Sequence, residues 1–131
     1  MRIFIRKHPS LFVCLVIFLP TAGSLGWDYS AGIRGQLTAR FDVARGRFEV
    51  LAYGLPSPWR REWSILLRER YGIEMRVVAG CALSKSLAAY ADGYNEVSGR
   101  AAIRQFGRDT FRQVEADAIA QWKGRRGAKR R

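Results

Sequence analysis

Cys81, Ser84 and Lys85 are the residues of this chain best equipped for covalent chemistry. A cysteine becomes a nucleophile as its thiolate, and a helix N-terminus or a nearby lysine favours that form. Cys81 stands four residues before Lys85 and just ahead of a helical pattern for which Ser84 is the expected N-cap. Against this, free cysteine is among the most often buried residue types. No histidine is at hand as a general base, so the better reading is a small residue closing a strand. Lysine activation needs burial, whereas Lys85 falls in the first, solvated turn of its helix.

Binding asks less of the residues than catalysis does. The loops Gly54–Trp59 and Gly80–Ser84 each leave an expected strand and run into an expected helix. In a parallel β-α-β unit such loops share one sheet edge, the place where open α/β sheets hold ligands. Unpaired N–H groups and the positive dipole end at each helix start attract anions. Gly54, Ser57, Trp59, Gly80, Cys81 and Ser84 are therefore the expected binding constellation, for an anionic ligand or a protein partner.

Other chemistries are excluded by composition. His8 is the only histidine and lies in the N-terminal segment, which removes Ser-His-Asp, Cys-His and His-rich zinc sites from the rest of the chain. Cys14 and Cys81 are the only cysteines, so no Cys-cluster metal site or CxxC motif exists. Neither GxxxxGK[ST] nor GxGxxG occurs. No cofactor and no metal is expected. Asp92, Glu96, Asp109, Glu115 and Asp117 could in principle supply a glycosidase pair, but their spacing puts them on exposed helix faces and caps.

The N-terminus carries an address. Arg2, Arg6 and Lys7 precede the apolar run Leu11–Leu19, and Pro20 with Thr21-Ala22-Gly23-Ser24 follows. This is the order of a secretory signal, so residues 1–26 are expected to be cleaved and the remainder exported, to a periplasm or beyond. The alternative is an uncleaved single-pass anchor, which also leaves the domain outside the cytoplasm. It is disfavoured because a span needs about 20 mainly apolar residues.

The net charge of +12 is concentrated at the ends. Lys123, Arg125, Arg126, Lys129, Arg130 and Arg131 crowd the C-terminus, whereas Trp27–Trp122 holds fourteen basic against eleven acidic residues. That balance disfavours nucleic acid as the partner of the folded body. The tail is expected to be disordered over residues 123–131, and suits an anionic membrane or cell-envelope polymer.

Residues 27–122 must then position the binding loops as one small α+β domain. Leu37, Ala39, Phe41 and Val43 alternate with Thr38, Arg40 and Asp42, which predicts a strand. With Ala44-Arg45-Gly46 as a turn, it pairs with Phe48–Tyr53 in a hairpin. Ser57 as N-cap and Pro58 open a helix through Tyr71, and Gly72 ends it. Ile73, Met75 and Val77 alternate in a returning strand that finishes in Val78-Ala79-Gly80 and runs parallel to Phe48–Tyr53. A second helix begins at Ser84 and is weakened or bent by Gly93 and Gly99; a third, capped by Asp109, carries Phe111, Val114, Ala118 and Trp122 on one side. The order β-β-α-β-α-α predicts a three-stranded mixed sheet with helices packed on it. The expected function is a non-catalytic partner- or anionic-ligand-binding domain of the cell envelope. Thiol chemistry at Cys81 and surface binding through the tail are the alternatives.

Overall fold

Ala31, Gly35 and Ala39 recur at every fourth position, and in the computed structural model, which describes residues 26–129 except Asp28, they form the buried stripe of a helix, α1 (Ala31–Ala44). The strand expected over Leu37–Val43 is thus corrected to helix, and the hairpin falls with it. The alternation that suggested a strand has a simple origin. Ile33, Leu37 and Phe41 form a second stripe at the same spacing, offset by two residues and exposed. Two interleaved four-residue periods read as a period of two.

The turn at Arg45-Gly46 exists, but joins α1 to a strand. Gly46 takes a left-handed φ of 72°, and the backbone N–H of Arg47 donates to the Asp42 carbonyl (2.9 Å). After it come β1 (Phe48–Ala52), α2 (Arg60–Tyr71), β2 (Ile73–Val77), α3 (Lys85–Phe106) and α4 (Thr110–Ala128). β1 and β2 pair in parallel, from Phe48 opposite Ile73 to Ala52 opposite Val77. The parallel pair around a crossover helix is as the sequence predicts. Among the described residues the sheet has two strands, not three.

Side chains of α3 occupy the place of a third strand. Glu49 and Leu51 turn their backbone groups away from β2. Asn95 meets Leu51 with both ends of its amide, its Nδ2 donating to the carbonyl (2.8 Å) and its Oδ1 accepting from the N–H (2.7 Å). Ser98, one turn on, donates its hydroxyl to the Glu49 carbonyl (2.7 Å) and accepts from the Glu49 N–H (3.3 Å). The edge that would otherwise template another chain is covered by a helix.

One apolar cluster, with Phe48, Leu67, Ile73 and Val114 at its centre, packs α2 and α4 against the sheet. A second, with Ala39, Leu51, Ala91 and Tyr94, joins α1 and α3 to the other face. Gly93 does not break α3, because glycine is what the packing there requires: a Cβ would lie 2.2 Å from the Gly32 carbonyl oxygen. Ser84 caps α3 as expected, its hydroxyl accepting from the Leu87 N–H (3.1 Å). The start of α2 differs by two residues. Ser57 and Pro58 lie in the preceding turn, and Trp59 holds the N-cap position without a side-chain bond.

Tyr94 is fully buried and donates to Asp42 Oδ2 (2.9 Å), whose other oxygen accepts from Arg47 (2.6 Å). Burial, and then the bond to Asp42, push the Tyr94 phenol above its ordinary value. The folded state therefore holds this proton more tightly than the unfolded chain does. Its contribution is complete below a pH of about 10, the unfolded value, and is lost as the pH climbs above it toward the higher folded value. Urea unfolding should show stability falling above that pH. Tyr94→Phe should flatten most of the decline, and an unchanged slope in that variant would refute the assignment.

Candidate functional site

Residues from both strands and from α2, α3 and α4 line a cleft of about 540 Å³. Its apolar walls are Val50, Met75, Trp59, Trp63 and Phe111, with the Trp63 and Phe111 rings 6.5 Å apart. Tyr53, Ser57, Arg60, Asn95, Arg112 and Glu115 supply the polar groups. Its volume falls in the range of small-molecule pockets, and polar and apolar groups share its lining about equally.

The position of the cleft follows from the local sequence. The stretch Gly54–Pro58 ends β1 and turns the chain, with Gly54 in the left-handed region (φ 77°). Trp59 then stands at the N-cap of α2, and Arg60 and, one turn on, Trp63 line the cleft with it. Arg60 donates to the Leu55 carbonyl (3.3 Å), which ties its guanidinium to the loop. Among the described residues it has no carboxylate partner, whereas Arg112 is held by Asp109 (2.7 Å).

The structure divides the expected constellation. Ser57 and Trp59 line the cleft, and Gly54 shapes the loop that carries them. Ser84 and Lys85 border a different depression of about 530 Å³, together with Tyr29, Ser86 and Ala89. Gly80 and Cys81 lie on the exposed loop between β2 and α3 and line neither. Both loops do leave the same end of the sheet, where the Val78 N–H donates to the Ala52 carbonyl (2.9 Å). Neither of these two cavities holds both loops. Cys81 is a free and exposed thiol rather than a buried strand-closing residue. Among the described residues no group of three His, Cys, Asp or Glu side chains could hold a metal.

Sequence spacing missed Arg60, Trp63, Phe111 and Arg112, and allowed Tyr94-Asn95-Glu96 to border the same sheet edge without fixing it there. Trp63 and Phe111 stand at core positions of their helices, and nothing in the pattern distinguishes a core aromatic from one that borders a cleft. Asn95 reads as a solvated helix residue, yet its amide is committed to β1.

The basic tail also differs from expectation. Lys123, Arg125 and Arg126 belong to α4, which runs to Ala128, where composition predicts disorder. Lys129 closes the helix, and Arg130 and Arg131 lie outside the described residues. Arg125 pairs with Glu62, a carboxylate only 5% exposed on α2. Arg126 lies over the Trp122 ring at 5.0 Å, and Trp122 meets Trp59 edge to face at 6.2 Å. Of the six expected surface-binding cations, Arg125 thus ties α4 to α2, and Arg126 rests on an aromatic of its own helix.

No known protein family matches the chain, and neither the curated proteins nor the solved structures yield a similar protein.

Proposed function

We propose that this domain is a non-catalytic binding module that takes a ligand or peptide with an apolar body and an anionic group in the cleft between α2 and α4. The cleft carries the reading. Trp59, Trp63 and Phe111 offer it aromatic walls, and Arg60 brings a guanidinium that pairs with no carboxylate among the described residues. A charged donor so placed rewards an incoming carboxylate, sulfonate or phosphate more than a neutral group. The lack of histidine after His8 argues against acid–base catalysis here. The order of cations, apolar run and small residues over residues 1–26 supports placing the module outside the cytoplasm, at the cell envelope.

Anilinonaphthalene sulfonate, an aromatic anion, is a suitable probe because its fluorescence reports the apolar environment directly. We expect saturable binding that weakens by roughly tenfold in Arg60→Gln, the loss of one charge-assisted hydrogen bond. N-acetylphenylalanine should compete. Binding that is indifferent to Arg60→Gln, yet lost when Leu37 and Phe41 on α1 are changed to serine, would overturn the proposal.

A further inference from the structure

Helix α1 carries its larger apolar residues on the wrong side for a soluble domain. The stripe packed against α3 is Ala31, Gly35 and Ala39, while Ile33 (61% exposed), Leu37 (47%) and Phe41 (66%) point outward. Trp27 (62%) and Tyr29 (90%), just ahead of α1, are exposed as well. Solvent-facing leucine alone is ordinary, but a continuous row on one helix face marks an interaction surface.

Two observations identify what that surface meets. Its borders are basic: at 3.6 residues per turn, Arg34 flanks the row on one side and Arg40 on the other, with Arg45 beyond its end. Arg34 stacks on the Trp27 ring at 3.7 Å and donates to the Trp27 carbonyl (2.8 Å), which fixes this aromatic beside the row. Among the described residues of α1 the one carboxylate, Asp42, is on the buried side. The second observation is the exposed aromatic pair Trp27 and Tyr29 at the N-terminal end of the row, the residue types enriched at membrane–water interfaces. An apolar stripe rimmed by arginine, with Trp and Tyr at one end, is the composition of a helix lying in a membrane interface.

We infer that α1 seats the domain on an anionic bilayer surface, with Ile33, Leu37 and Phe41 immersed at the headgroup–acyl boundary and Arg40 and Arg45 on the lipid phosphates, while Arg34 holds Trp27 beside the row. This goes beyond the cleft reading and does not depend on it, since neither Arg60 nor Trp63 belongs to α1. It also gives a role to a helix whose only described packing partner of any extent is α3.

The full chain, with Cys14 and Cys81 changed to serine, can carry an environment-sensitive fluorophore at Leu37→Cys. A control label goes at Gln113→Cys, exposed on α4. Vesicles of phosphatidylcholine with phosphatidylglycerol should shift the position 37 emission to the blue and let bromolipids quench it, leaving position 113 unchanged. Arg40→Gln and Arg45→Gln should each weaken this response roughly fivefold. Four results would overturn the inference. The label at position 37 could stay in water on vesicle-bound protein, or respond equally to vesicles without phosphatidylglycerol. It could be shielded before lipid is added in a concentration-dependent way, which means a second copy covers the row. Shielding at every concentration would mean that Leu11–Leu19 of the same chain does.

Discussion

Gly93→Ala is expected to destabilise the domain by about 1–3 kcal/mol, although alanine is the better helix former by about 1 kcal/mol. The added methyl would sit 2.2 Å from the Gly32 carbonyl oxygen and 3.0 Å from its carbon, both backbone atoms with nowhere to rotate. The same holds on the facing helix, where a methyl at Gly35 would meet the Tyr90 carbonyl oxygen at 2.1 Å. α1 and α3 would have to separate, and Ala39 and Tyr94 would lose their fit. Gly99 provides the internal comparison, because nothing lies within 4 Å of its absent side chain. Gly99→Ala should therefore stabilise by about 0.5–1 kcal/mol. Urea unfolding followed by tryptophan fluorescence would separate the two. Equal stabilities for Gly93→Ala and Gly99→Ala would mean that the close approach of α1 and α3 is wrong.

Asn95→Leu is expected to cost about 2–4 kcal/mol, since it leaves a half-buried N–H and C=O of Leu51 without partners. Leucine adds apolar volume on α3, so a simple loss of packing cannot account for such a change. With the edge of β1 open, the variant should also aggregate at concentrations that the parent protein tolerates. Light scattering with an unfolding curve measures both. A cost below about 0.5 kcal/mol would show that Asn95 is not what closes the sheet.

These two residues also mark where the sequence was legible and where it was not. The crossover unit was readable because its signals are local: the alternating apolar residues of Phe48–Ala52 and Ile73–Val77, the stripe Trp63–Leu66–Leu67, and Gly72 ending α2 in the left-handed region (φ 65°). Ser84 and Asp109 marked helix starts correctly for the same reason. α1 was misread because its inward face is made of glycine and alanine, which carry no hydropathy contrast. Its outward face is apolar, which reverses the usual rule. Asn95 and Ser98 were unreadable as edge partners because that role depends on which strand lies beside α3, a fact of tertiary structure. The cleft was half legible: Ser57 and Trp59 follow from the loop after β1, but Phe111 and Arg112 reach it only because α4 packs on α2.

The pairing of Glu62 with Arg125 has a consequence for proteolysis. A chain trimmed just after Trp122 would keep every buried residue of both apolar clusters, and yet Glu62 would be left inside without its cation. Its Oε2 has no hydrogen-bond partner even in the intact domain. A charge stranded in that way is costly, so nicking in the last turns of α4 would loosen α2 as well. Residues that composition marks as a dispensable appendage thus set how long the domain survives among proteases.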